Sequence, residues 1–148
     1  GRGNDLDRVK ALVRSAGTNS IRFLDQVPKA QVAEILASAD VGLVTFAPFP
    51  VLEANSANKF YDYLASGLPV LINYGGWQAR YLAERDCGLS SPMGDVRSLA
   101  DNIEQLLHHP EMRARMGLNG RRLAEEGFDR EKIAAELLRL FERVLGGG

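Results

Sequence analysis

Apolar residues in the first part of the chain recur first at helical and then at strand-like spacing. Those over 6–16 are three and four positions apart and predict a helix that Gly17 ends. The short apolar run 21–25 predicts a strand, and Pro28 stands at the start of a second predicted helix. This part of the chain is therefore predicted to fold as helix, strand and helix.

Two longer apolar runs follow, VGLVTF (41–46) and LPVLINY (68–74), and both are typical of strands covered on both faces. CGLSSP (87–92) predicts a short last strand. Elsewhere the apolar spacing is helical again. One of these helices is predicted to be capped by Ser56 and to end at Gly67, and the next follows Gly75-Gly76 and runs through Glu84. Three more are predicted to begin at Asp95, Pro110 and Asp129.

Strands that alternate with helices favour parallel pairing and a single Rossmann-like domain over 1–148, an α/β fold with a three-layer α/β/α sandwich. We expect 41–46 and 69–73 near the centre of a mainly parallel sheet, with 21–25 beside them. Ligands of such sheets bind at the carboxyl ends of the strands. The loops 25–28, 47–58 and 74–78 are therefore the candidate binding loops.

Composition narrows the functional classes. The 148 residues carry a net charge of −1, which gives no strong field for binding nucleic acid. Cys87 is the single cysteine, so an internal disulfide and a cysteine-based zinc site are excluded, and a reduced, cytoplasmic setting fits. The sequence shows no signal peptide and no apolar run near the roughly 20 residues of a membrane span.

The small-residue segment before the third predicted helix has the features of an anion site. If Ser56 caps the helix, the amides of Ala57, Asn58 and Lys59 face outward at its positive end. Lys59 adds a full charge, and Asp62 stands about one turn further along, where its carboxylate could accept hydrogen bonds from a ribose. This arrangement fits a nucleoside diphosphate. A capped helix with a solvated lysine and an incidental aspartate is the alternative reading.

From Ile21 to about Phe141 the chain resembles the C-terminal domain of the GT-B, family-4-type retaining glycosyltransferases. The resemblance rests on segments in the family's order: IRFLDQVP, LASADVGLVTF, a lysine-bearing loop, YDYLASGLPVLI, a Gly-Gly turn and CGLSSPMGDVRSLADNI. It implies transfer of a sugar from a UDP- or GDP-sugar to an acceptor, with retention of anomeric configuration. The donor is a substrate, and no cofactor or metal is expected.

The resemblance also assigns residues to the donor site. Asp62 matches the acid that holds the donor's ribose, and Gln26 and Val27 would meet the base through their backbone. The family's other acid falls on Ala54, so either the neighbouring Glu53 or the backbone amides of 56–59 would orient the sugar. Donor contacts are further expected at Ser56, Ala57, Asn58, Lys59, Gly75 and Gly76, with Lys59 and Glu53 as the catalytic residues.

An acceptor domain is expected upstream, because the opening GRGND follows no strand and has no initiator methionine. The acceptor would be a glycan or a lipid-linked sugar, as in polysaccharide biosynthesis. We therefore expect the fragment to be inactive alone, and the complete protein to associate peripherally with the inner face of a membrane. In this architecture the last helix often crosses to the other domain, so some of Leu138, Phe141 and Leu145 should be unusually exposed. A sugar-nucleotide epimerase and a non-catalytic nucleotide-binding domain stay open as alternatives.

Overall fold

The computed structural model describes residues 3–145. They fall into two compact units, with the division after Ile35. The opening segment GRGND was interpreted above as the start of a fragment. Its first two residues, Gly1 and Arg2, lie outside the described residues, as do residues 146–148.

The first unit contains α1 (Leu6–Ser15) and the beginning of α2 (Lys29–Ala37), so both helices predicted for this part of the chain are confirmed. The predicted strand 21–25 is wrong. These residues take irregular structure, and Ile21, Phe23 and Leu24 are exposed. An apolar run becomes a strand only when another strand pairs with it, and the sequence pattern does not report that pairing.

The second unit is built on three short parallel strands: β1 (Gly42–Val44), β2 (Val70–Ile72) and β3 (Gly88–Ser90). Their order is β1-β2-β3, with Gly42 beside Val70 and Val70 beside Gly88. The predicted parallel strands are thus confirmed. Only β2 is central, however, and the expectation that 41–46 lies near the centre is wrong, because 21–25 adds no strand beyond β1.

Five helices surround this sheet or follow it: α3 (Asn58–Ala65), α4 (Gly76–Glu84), α5 (Val96–His108), α6 (Pro110–Gly127) and α7 (Arg130–Leu145). The predicted cap at Asp95 is confirmed, because its carboxylate accepts a 2.9 Å hydrogen bond from the Ser98 amide. Asp129 likewise accepts from the amides of Glu131 and Lys132, and the Lys132 bond does most to lower the pKa of Asp129. Both helices therefore begin where their capping residues predict.

Helices cover both faces of the sheet, as the three-layer prediction requires. On β2 the side chains alternate, so Val70 and Ile72 face one layer and Leu71 faces the other. The first face packs on residues of α3, α4 and α6, and the second on residues of α5 and α6. The buried helical residues are Phe60, Leu64, Leu82 and Leu123 on the first face, and Leu106 and Met116 on the second.

The last helix, α7, presents much of its apolar surface to solvent. Leu138, Phe141 and Leu145 are all exposed, as predicted. Among residues 3–145, no helix has the length and apolar character needed to span a membrane.

Candidate functional site

The loop after β1 is fastened to the end of β2 by one asparagine side chain. Asn73 accepts a 2.8 Å hydrogen bond from the Phe46 amide and donates a 2.9 Å bond to the Phe46 carbonyl. The side chain thus continues the pairing of β1 with β2 beyond the last backbone partners, Val44 and Ile72. Asn73 was not predicted to belong to the site. Its one signal in the sequence is that it is a polar residue near the end of the apolar run 68–74.

Further along the same loop, Glu53 packs against the Gly75-Gly76 turn. It belongs to a short 3-10 helix, Pro50–Ala54. A Cβ atom added to Gly75 would lie 3.4 Å from Glu53 Oε1, and one added to Gly76 would collide with the Glu53 carbonyl oxygen. Gly76 also has a φ of +80°. The turn therefore requires glycine at 76 for conformation and for contact, and it brings the predicted catalytic carboxylate to the N terminus of α4.

Trp77 fixes the next part of the loop. Its indole Nε1 donates a 3.2 Å hydrogen bond to the Asn55 carbonyl, and its ring packs edge-on against Phe60 at 5.9 Å between centroids. Trp77 is half-buried. It therefore acts as a packing residue that ties α4 to the entrance of α3.

Ser56 does not cap α3, so that prediction is wrong. The helix begins at Asn58, its cap position is Ala57, and no side chain bonds to its first amides. The Ser56 hydroxyl lies 2.7 Å from the Tyr61 hydroxyl instead. The physical reason is one of register, since the helix starts one residue later than a serine cap at 56 requires.

The open end of α3 carries the predicted charged pair. The Phe60 amide donates to the Ala57 carbonyl. The amides of Asn58 and Lys59 come earlier in the first turn, where no preceding carbonyl of the helix can accept from them. Lys59 and Asp62 are both exposed and stand one turn apart on the helix. An anion at this end would meet the positive end of the helix dipole together with the lysine charge.

Asp62 also borders a groove of about 280 Å³ between α3 and the end of α6. Its apolar wall includes the rings of Tyr61 and Phe128, whose centroids are 4.9 Å apart. Arg121, on the opposite wall, donates to the Ala65 carbonyl and to Glu125 Oε1. The arginine charge is thus directed to Glu125, and Asp62 contributes to the lining of the groove.

The predicted contacts to the base, Gln26 and Val27, belong to the first unit. Gln26 is exposed and Val27 is half-buried. Within residues 3–145, no three His, Cys, Asp or Glu side chains are grouped closely enough to hold a metal ion. The structure therefore brings together Glu53 with Gly75 and Gly76, and separately Asn58, Lys59 and Asp62 on α3.

Comparison with known proteins identifies the family. The model of the family "Glycosyl transferases group 1" matches residues 1–123. The chain belongs to this family. Among solved structures, sucrose-phosphate synthase from Thermosynechococcus elongatus superposes with a TM-score of 0.79 at 22% identity, over 99% of this chain and 36% of that one. That similarity confirms the Rossmann-like α/β fold of a GT-B domain.

Two curated proteins are also similar in sequence. MMP alpha-(1->4)-mannosyltransferase of Mycolicibacterium hassiacum is 28% identical over 116 residues, which is 78% of this chain and 27% of that protein. Spore coat protein SA of Bacillus subtilis is 30% identical over 88 residues, which is 59% of this chain and 23% of that protein. The chain thus aligns with about a quarter of the length of each.

Proposed function

We propose that the chain is the donor-binding C-terminal domain of a retaining, family-4-type glycosyltransferase. It binds a UDP- or GDP-sugar, whose sugar is transferred to a glycan or lipid-linked acceptor held by another domain. Membership of the glycosyl transferase family supports a sugar donor and an acceptor. The observation that carries the finer proposal is the uncapped N terminus of α3, with Lys59 in its first turn and Asp62 one turn later.

Charge stabilisation is the main chemical task at such a site. When the bond from the sugar to the diphosphate breaks, negative charge develops on the leaving phosphate oxygen. Amides aimed at that oxygen stabilise the charge, because they are fixed before the reaction and need not reorganise. The first-turn amides of α3 and the Lys59 ammonium would serve this role. Lys59 is therefore proposed as a catalytic residue.

The ribose and the sugar would lie on either side of the diphosphate. Asp62 would accept hydrogen bonds from the ribose hydroxyls, since an ionised carboxylate offers two acceptor oxygens. Glu53 would orient the transferred sugar from beside the Gly75-Gly76 turn, where its carboxylate lies close to Gly75. Together these positions would place the glycosidic phosphate near the N-terminal ends of α3 and α4.

Transfer itself is proposed to need both domains. Alignment of two reactants accounts for several kcal/mol of a typical barrier, and one wall of a cleft cannot supply that alignment. The exposed apolar residues of α7 support this proposal, because an uncovered apolar helix face is typical of a surface that packs against another body. The fragment is therefore expected to bind donor nucleotides and to transfer nothing.

Calorimetric titration of the chain with UDP, GDP, ATP and inorganic phosphate tests the donor assignment. UDP or GDP should bind more tightly than ATP and phosphate, and the affinity of the preferred nucleotide should fall in Lys59→Ala. Lys132→Ala, which removes an exposed lysine at the beginning of α7, is the matched control and should leave the affinity unchanged. Preference for ATP, or equal losses in both variants, would contradict the proposal.

A further inference from the structure

Five aromatic side chains form a closed circle that joins α3, α4 and the end of α6. Each one packs against two of the others, with ring centroids between 4.9 and 6.2 Å apart. This aromatic cluster consists of Phe60, Tyr61, Trp77, Tyr81 and Phe128. Aromatic side chains have few rotatable bonds and large contact areas, so the cluster holds the polar atoms at its edge in defined positions.

Two polar atoms of the aromatic cluster bond to the loop that leads into α3. The Trp77 indole Nε1 donates to the Asn55 carbonyl at 3.2 Å, and the Tyr61 hydroxyl lies 2.7 Å from the Ser56 hydroxyl. Residues 55–57 form neither helix nor strand. The loop therefore takes its position in part from these two side-chain hydrogen bonds to successive residues.

Packing alone does not require a hydroxyl at position 61. A phenylalanine there would keep the ring contacts with Phe60 and Phe128. Tyr61 is half-buried and Ser56 is exposed, so water could satisfy both hydroxyls in the absence of their mutual bond. What the bond does is to fix Ser56 immediately before Ala57, the cap position of α3.

We propose that Tyr61 is a positioning residue for the diphosphate part of the donor site. Its hydroxyl holds Ser56, so the amides of Ser56 and Ala57 keep one arrangement beside the first turn of α3 before a ligand arrives. Amides fixed in advance bind an anion more tightly, because less of the loop has to be ordered on binding. This inference rests on the donor site proposed above, and it adds a residue that acts through Ser56 and not by contact with the donor.

Tyr61→Phe tests the proposal because it removes a single oxygen atom and keeps the ring. Calorimetric affinity for UDP or GDP should fall by about threefold to tenfold, the factor that one hydrogen bond typically contributes. Affinity for uridine or guanosine should stay unchanged, because the loop amides are assigned to the diphosphate. Tyr81→Phe is the matched control, since it removes the hydroxyl of the cluster member that packs between Trp77 and Phe128, and it should change neither affinity.

A second background shows whether Tyr61 acts through Ser56. In Ser56→Ala the partner of the Tyr61 hydroxyl is absent, so the further change Tyr61→Phe should leave nucleotide affinity where Ser56→Ala alone puts it. An additional loss in the double variant would overturn the positioning role. Equal losses of affinity for nucleoside and nucleoside diphosphate in Tyr61→Phe would overturn it as well, because they would indicate a general loss of packing.

The wild-type titrations separate this inference from the proposed function. If the wild-type chain binds neither UDP nor GDP, the proposed function is wrong, and the role of Tyr61 is wrong with it. If the wild-type chain binds UDP or GDP and Tyr61→Phe binds it equally well, the positioning role alone is contradicted.

Discussion

Replacement of Gly76 by alanine should destabilise the chain through two effects that can be measured separately. Gly76 has a φ of +80°, and alanine in this region costs about 1–2 kcal/mol. The added Cβ atom would also collide with the Glu53 carbonyl oxygen and lie 3.1 Å from its carbonyl carbon. Displacement of that backbone should cost about 1–3 kcal/mol more, the usual range for overpacking.

Gly94 offers a matched control for the conformational part. Its φ is +82°, and a Cβ atom there would meet nothing within 4 Å. Gly94→Ala should therefore show the backbone cost alone. Each kcal/mol lowers the melting temperature of a chain of this size by roughly 2–4 °C, so calorimetry can resolve the difference between the two variants.

The contact part should also affect binding. Because Gly76→Ala moves Glu53 away from the N terminus of α4, affinity for UDP or GDP should fall in this variant and not in Gly94→Ala. Equal losses of melting temperature in the two variants would refute the argument that Gly76 is required for contact with Glu53. Unchanged nucleotide affinity in a folded Gly76→Ala variant would refute the role of that contact in the donor site.

Three further predictions concern single side chains. Asp62→Asn should weaken UDP or GDP binding by about 1.5–3 kcal/mol, the range for a hydrogen bond to a charged group. The control variant Asp101→Asn on α5 should leave the affinity unchanged. Equal calorimetric affinities in the wild type and in Asp62→Asn would show that Asp62 does not bind the ribose. Lys59→Ala should reduce affinity for the nucleoside diphosphate far more than for the nucleoside, and equal losses would show that the lysine does not contact phosphate. Burial raises the pKa of Cys87 from 9.0 to about 11, so the folded chain keeps the thiol protonated where the unfolded chain ionises. The stability that Cys87 contributes should be complete below pH 9 and lost as the pH rises to about 11, which denaturant titrations of the wild type and Cys87→Ala would measure; identical pH dependence in both would contradict the raised pKa.

The helices and the central strand could be predicted because their signals are local. Asp95 and Asp129 cap helices with their own side chains, and the alternating faces of Val70–Ile72 are covered by helices on both sides. The run 21–25 has the same apolar character, yet it forms no strand. Strand formation depends on a partner elsewhere in the chain, so the run alone did not decide its structure.

Contacts within one helix could be predicted from the sequence, whereas contacts between distant segments could not. Lys59 and Asp62 lie one turn apart on a helix because their spacing in the sequence requires it. The bond of Asn73 to Phe46 and the contact of Glu53 with Gly76 join residues more than 20 positions apart, and no local pattern reports such contacts. Ser56 is the clearest example of a contact that the sequence did not predict. Because α3 begins one residue later than predicted, the Ser56 hydroxyl contacts Tyr61 and does not cap the helix.

The most direct test of the donor site is to map nucleotide binding on the backbone amides by NMR. On titration with UDP or GDP, the largest chemical-shift changes should occur at Asn58 and Lys59 in the first turn of α3 and at Gly75 and Gly76 before α4. Changes that avoid both helix ends would contradict the proposal that the N-terminal ends of α3 and α4 bind the donor's diphosphate. A cluster of changes around the pocket between His108 and Arg115, whose volume is about 350 Å³, would be one such result.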